Sequence, residues 1–126
     1  MRAVDTNVLV RILTRDNAEQ ATVADAFIAK GAWVSQIVLV EAAWVLRSGY
    51  GLGHAEVAKT IEMLLNHESL TLQDPDVVAA ALVHYQQRPS VGFSDSLILE
   101  IAKKAGHLPL GTFDRDLSKF EGTERL

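Results

Sequence analysis

The chain contains no cysteine, which removes disulfides, thiolate metal sites and cysteine nucleophiles together. That absence agrees with a reducing compartment. A long apolar run is also missing. The longest, residues 37 to 46, carries Glu41 in its middle and is far too short to span a bilayer. No basic leader followed by an apolar segment opens the sequence, because Asp5, Thr6 and Asn7 interrupt it at once. A soluble, cytoplasmic protein with no membrane partner is therefore expected. Nor is there an excess of positive charge, since 12 Lys and Arg stand against 16 Asp and Glu for a net charge of -4. A protein that coats nucleic acid would normally be basic. An enzyme acting on nucleic acid stays open, because it can concentrate negative charge in a cation-filled pocket. The sequence shows no internal repeat, low-complexity tract or domain linker.

What is present suits a globular protein. The 126 residues are 48% hydrophobic and 22% charged, enough for one domain with one core spanning residues 1 to 126. Residues 1 to 4 form a short apolar strand that runs into Asp5-Thr6-Asn7 and a capped helix. Val8, Leu9, Ile12 and Leu13 share one face of that helix, and Val23, Ala24, Phe27 and Ile28 repeat at helical spacing in the next. Residues 32 to 34 read as a strand. Ser35 is placed to cap a helix that is apolar nearly all round and is therefore expected to be central.

Val57, Ala58, Ile61, Leu64 and Leu65 mark another amphipathic helix, followed by a strand near residues 69 to 72. Asp74-Pro75 is a helix start, with Val78, Leu82 and Tyr85 on its apolar face. Ser94 is expected to cap a further helix whose Leu97, Ile98, Ile101, Ala102 and Ala105 pack inward, with Lys103, Lys104 and Gly106 at its end. Residues 108 to 112 read as a strand, 114 to 120 as a helical turn, and the last residues as an edge strand. Strands alternating with helices indicate an α/β fold with a mainly parallel sheet.

In such a sheet, ligands bind beyond the carboxyl ends of the strands. Asp5 follows the first strand and Asp114 the strand ending at Thr112. Glu41 lies in the helix after the second strand, and Asp95 in the first turn of its own helix. Two like charges 4 Å apart repel by about 4 kcal/mol at an effective dielectric near 20, so clustered acids take up protons or bind a cation. Mg²⁺ suits them, since it prefers oxygen ligands, keeps several waters and needs only one or two carboxylates. The His–Cys clusters of a structural zinc site are missing. A metal held by carboxylates activates water and neutralises a phosphodiester, so phosphodiester hydrolysis is the natural reaction class.

Each acid also has a structural explanation. Asp5 can cap the helix after it, Asp95 can favour a helix dipole, and Asp114 can be a turn residue. Glu41 is harder to explain, because a lone charge among Ile37, Val38, Leu39, Val40, Ala42, Ala43, Trp44, Val45 and Leu46 is costly without a partner. His54, His67, His84 and His107 are scattered and read as surface or helix-end residues. Arg115, beside Asp114, suits either a phosphate or an exposed ion pair. Arg11, Arg15 and Arg47 are weaker candidates for a substrate path. Trp33 and Trp44 read as core.

Four segments together resemble the PIN-domain nucleases, and most closely the VapC toxins of bacterial type II toxin–antitoxin systems. They are Val4-Asp5-Thr6-Asn7-Val8-Leu9, the run from Ile37 through Glu41 to Leu46, Phe93-Ser94-Asp95-Ser96-Leu97-Ile98, and Leu108 through Thr112-Phe113-Asp114-Arg115-Asp116 to Leu117. They occur in the family's order and span nearly the whole chain. Ser94 and Ser96 stand where small residues, often Ala, are usual.

The resemblance implies a PIN-like three-layer sandwich, with a short sheet of four to five strands flanked by helices. It implies an Mg²⁺- or Mn²⁺-dependent endoribonuclease acting on RNA, with tRNA or ribosomal RNA as family targets. It also implies inhibition by a small VapB-like antitoxin, and a homodimer. By family pattern Asp5 and Asp95 are the principal metal ligands, and Glu41 and Asp114 complete the acidic pocket. Thr6, Asn7 and Thr112 match supporting polar positions, and Asp116 is an auxiliary acid or a solvated one.

Two other readings keep some of these features. A phospho-acceptor receiver module has similar length and architecture, but it would show paired acids after the first strand and a Lys near the last. Here Asp5 stands alone and no Lys directly follows Leu110. The third reading is a catalytically silent binding protein with the PIN fold.

Overall fold

The computed structural model describes residues 1–126. Its elements run β1 (Arg2–Ala3), α1 (Thr6–Thr14), α2 (Ala18–Ile28), β2 (Ala32–Val34), α3 (Gln36–Ser48), α4 (His54–Leu65), β3 (Leu70–Leu72), α5 (Pro75–Gln87), α6 (Phe93–Ala105), β4 (Leu110–Thr112) and β5 (Thr123–Arg125). Short 3-10 turns occupy Pro89–Val91 and Leu117–Lys119. All strand pairings are parallel, in a three-stranded ladder β1-β2-β3 and a two-stranded ladder β4-β5. Six helices with short parallel strands make this the α/β fold that the sequence pattern anticipates. By backbone contacts the chain divides into two compact units, Met1–Pro75 and Asp76–Leu126.

In the first unit, β2 pairs with both neighbours, Ala32 opposite Arg2 on one side and Leu70 on the other. Alternate residues Ala32, Val34, Leu70 and Leu72 are buried, as the two-residue period of a strand requires. Parallel strands need long crossovers, and the helix pairs α1–α2 and α3–α4 supply them. Caps explain where these helices start. Asp5 accepts from the Val8 amide, Asn17 from Gln20 and Ser35 from Val38. Buried Val57, Ala58, Ile61 and Leu64 on α4 follow the expected face. On α2 the buried residues are Ala21, Ala24 and Ile28, while Val23 is exposed and Phe27 carries the Arg2 guanidinium over its ring.

Helix α3 departs from expectation. Leu39, Ala42, Ala43 and Leu46 are buried, but Ile37, Glu41 and Trp44 form a solvent-facing stripe, with Trp44 69% exposed. Neither tryptophan belongs to the core, since Trp33 on β2 is also exposed. The physical reason is the uniform apolarity of α3: with no polar minority face, the sequence does not mark which side is covered.

Pro75 opens α5, whose Val77, Val78, Ala81, Leu82 and Tyr85, all in the second unit, are buried. Helix α6 begins at Phe93, and its N-cap is Gly92 with φ 87°, not Ser94, which is exposed. Only glycine enters that backbone region without strain. Gly106, in the left-handed region, ends α6 as expected. The buried face of α6 is Phe93, Ser96, Leu97, Leu99 and Glu100, whereas Ile98, Ile101 and Ala105 are exposed. Its partner on α5 explains this rotation. His84 Nε2 lies 2.6 Å from Glu100 Oε1, which allows a carboxyl only 8% exposed to remain inside. The His84 ring also lies tilted against Phe120 with centroids 4.4 Å apart, so this helix-end histidine is half-buried. The edge strand expected at the C-terminus is β5, with Thr123 opposite Leu110.

The rotation of α6 separates two neighbours that the sequence places alike. Leu97→Ala is expected to cost about 2–5 kcal/mol and Ile98→Ala less than about 1 kcal/mol. Urea denaturation of both variants measures the difference, and equal losses would contradict the observed face.

Candidate functional site

The acids singled out by sequence fall two in each unit. Asp5 and Glu41 belong to Met1–Pro75, and Asp95 and Asp114 to Asp76–Leu126.

In the first unit, the Val4 amide bonds to the Trp33 carbonyl, so β1 and β2 end side by side. Asp5 therefore stands at the carboxyl edge of this ladder, in step with Ser35. Its Oδ1 accepts from the Val8 amide at 3.0 Å, fixing the carboxylate at the start of α1. Glu41 lies further along α3, which begins at the same edge, where the Gln36 amide bonds to Gln73 Oε1. Glu41 is exposed to water. The cost of burying a lone charge therefore does not arise, and that reason for giving it a function falls away.

A groove of about 850 Å³ opens beside Asp5. Asn7, Val8 and Arg11 of α1 line one wall, and Gln20, Val23 and Phe27 of α2 the other. Arg11 is held there by Gln20 Oε1 at 2.7 Å, Asp16 Oδ1 at 3.2 Å and the Tyr50 hydroxyl at 3.3 Å. Tyr50 donates to Asp16 at 2.6 Å, which with Thr14 holds the Asp16 carboxyl below the usual carboxylate range. This polar cluster was not visible in the sequence, where its members are spread from residue 11 to residue 50. Arg15 and Arg47 are engaged elsewhere, by the Asp25 carboxylate and the Leu52 carbonyl. Thr6 and Asn7 are the first two residues of α1, Thr6 half-buried and Asn7 exposed.

In the second unit, Asp95 sits half-buried in the first turn of α6. Asp114 follows β4 in a tight turn. Its amide donates to Thr112 Oγ1 at 2.9 Å, and its Oδ1 accepts from the Leu117 amide at 2.9 Å. Thr112 thus orients the acid's backbone. Asp116 has Arg88 and Lys119 each 3.9 Å away, loose ion pairs at a half-exposed site.

Burial raises the Asp95 pKa above the ordinary carboxylate value, and the Asp114 charge raises it further. A helix N-terminus alone would act the other way, favouring the charged form. Desolvation and the neighbouring acid both disfavour the charged form of Asp95. Such a pair is relieved by a proton or by a cation.

Its donors are all oxygen, which fits a hard divalent ion of the Mg²⁺ kind. No three His, Cys, Asp or Glu side chains cluster closely enough to hold a metal by themselves. Mg²⁺ requires only one or two direct carboxylates, with water completing its shell. The buried Glu100–His84 pair is the titratable feature that sequence reading missed. Its signal was the spacing of Glu100, four residues after Ser96 and three after Leu97 on the face that is buried.

The PIN domain family model matches residues 2–122 and so spans both units and all four acids. It gives no support to a receiver module. No curated protein and no solved structure matches the chain. No helix is long and apolar enough to cross a membrane.

The raised Asp95 pKa has a consequence for stability. Between the ordinary carboxylate value and the raised one, the folded protein holds a proton that the unfolded chain has lost. Stability therefore falls as pH rises through that window and levels off above it. In EDTA, Asp95→Asn is expected to melt at a higher temperature than wild type at neutral pH. The gap should close in acid, where the carboxyl is protonated in both states. A gap independent of pH would refute the coupling.

Proposed function

The chain belongs to the PIN domain family, a nuclease-type fold, and from that premise we propose that it is a metal-dependent endoribonuclease of the VapC toxin type. One observation carries the proposal: Asp95 is held half-buried beside Asp114, in a state its own protein environment disfavours. Perturbed acids of this kind concentrate at functional sites.

In this reading Asp5, Glu41, Asp95 and Asp114 are the catalytic acids, and Asp5 and Asp95 are the principal ligands of Mg²⁺ or Mn²⁺. The bound ion supplies an activated water and charge neutralisation at the phosphodiester. The chain's own residues hold the acids in place. The Val8 amide fixes Asp5, and Thr112 with the Leu117 amide fixes Asp114. Thr6 and Asn7 are supporting polar groups beside Asp5, and Asp116 is an auxiliary acid near Asp114. A transfer or ribosomal RNA target, and action in the cytoplasm, rest on the family resemblance alone.

The partners follow the same resemblance. The groove beside Asp5, with exposed Val23 on its wall, suits the apolar face of a helix from a small VapB-like antitoxin. The exposed Ile37 and Trp44 on α3 suit a homodimer interface, since large exposed apolar side chains on one helix face mark protein contacts. Trp44→Glu is expected to shift the protein to monomer in sedimentation equilibrium without unfolding it. An unchanged assembly state would remove α3 from the interface.

Freed of any partner, the protein is expected to cleave RNA with Mg²⁺ or Mn²⁺, and EDTA should stop the reaction. Asp5→Asn keeps a competent helix cap and should retain the wild-type fold by circular dichroism. Losing a metal ligand should slow cleavage at least about a hundredfold, the effect of removing several kcal/mol of charge stabilisation. Full activity in a folded Asp5→Asn variant would sink the assignment. Metal binding without RNA cleavage would point to the silent PIN-fold protein instead.

A further inference from the structure

We propose that Phe113 stacks on a nucleobase of the RNA substrate, next to the phosphodiester held at the Asp95–Asp114 pair; this rests on the ribonuclease reading above. Phe113 is 80% exposed, whereas Phe93 is buried and Phe27 and Phe120 are half-buried. It is the only phenylalanine left in water. An aromatic ring this exposed forgoes the burial that normally favours it.

The local backbone explains why the ring stays out. On one side, Thr112 closes β4, and its carbonyl accepts from the Leu126 amide. On the other, the Asp114 amide bonds to Thr112 Oγ1, Asp114 Oδ1 caps the Leu117 amide, and the Asp114 carbonyl accepts from Ser118. The backbone is thus pinned on both flanks of Phe113, and the contacts that orient Asp114 also hold the backbone from which the ring projects into water.

The surroundings favour a nucleotide over a protein as the occupant. In sequence the ring lies between Gly111-Thr112 and Asp114-Arg115-Asp116, and Asp114 and Arg115 are exposed. A protein closing over Phe113 would have to strip water from these charges, which is unfavourable unless each finds a partner. Ile37 and Trp44 on α3, by contrast, form a regular apolar stripe. A nucleotide presents a flat base and a phosphate on one short unit. The base face suits the ring, the Arg115 guanidinium suits a phosphate oxygen, and the acid pair with its cation suits the reacting phosphodiester. Base–aromatic stacking accepts any base, because every base has a π-face. Phe113 therefore contributes affinity and register without reading sequence.

The test uses a labelled, unstructured oligoribonucleotide that the wild type cleaves, so that the cut defines the register. Binding is measured by anisotropy with Ca²⁺ in place of Mg²⁺, together with copies carrying a single abasic residue at each position around the cut. Phe113→Ala is expected to weaken binding about 5- to 150-fold, Phe113→Trp to restore it, and both to melt like wild type. At one abasic position the difference between wild type and Phe113→Ala should vanish.

Wild-type affinity in Phe113→Ala, or a loss equal at every abasic position, would overturn the proposal. So would unchanged RNA binding with an altered assembly state, which would make Phe113 a protein contact. Cleavage that survives while Phe113 proves irrelevant defeats this inference alone. A wild type that neither binds nor cleaves RNA defeats the ribonuclease reading, and this inference with it.

Discussion

Strands of two or three residues carry very little of this protein's core, and most of the burial belongs to helix faces. What such short strands impose is direction. Parallel pairing brings their carboxyl ends to one edge of a ladder, and each strand passes into a turn or helix almost at once. The residue at that junction must satisfy amides that the first helical turn leaves without partners. Asp5 does so after β1 and Ser35 after β2, while Asp114 meets the same need in the turn after β4. A carboxylate that caps through one oxygen is thereby oriented, and orientation is what a metal or phosphodiester site requires of it. For Asp5 and Asp114 the structural and the functional explanations are therefore compatible.

This constraint also explains what could be read without coordinates. Capping residues, Pro75 at the start of α5, Gly106 at the end of α6 and the helical spacing of apolar residues on α4 and α5 are local signals. They give the order of elements, the α/β class and the positions of the acids relative to strand ends. The four acids could be picked out because each sits at or near such a junction, or within an otherwise apolar helix.

Two other features depend on which surfaces meet, and no local pattern carries that. Periodicity tells which residues share a helix face, but not which of several apolar faces is covered. On α3 the covered face turned out to exclude Ile37, Glu41 and Trp44, so the charge that looked most isolated in sequence is solvated in space. On α6 the buried face includes Glu100 because His84, sixteen residues earlier on α5, offers its imidazole. A pattern rule assigns Ile98 and Ile101 to the interior, since it has no knowledge of that partner.

The weight among the acids shifts accordingly. Asp95, like Asp114, has a ready structural explanation in sequence, because a carboxyl in a first helical turn is what the helix dipole rewards. That explanation carries a sign: it requires a pKa below the ordinary value. Burial, and after it the Asp114 charge, push the Asp95 carboxyl the other way, above the ordinary value. A half-buried carboxyl beside a like charge costs stability that a neutral residue of its size would not, and the proposed metal site accounts for that cost. A bound divalent cation reverses the sign of both effects, replacing lost hydration with direct oxygen coordination and turning the neighbouring acid from a repulsive group into a second ligand.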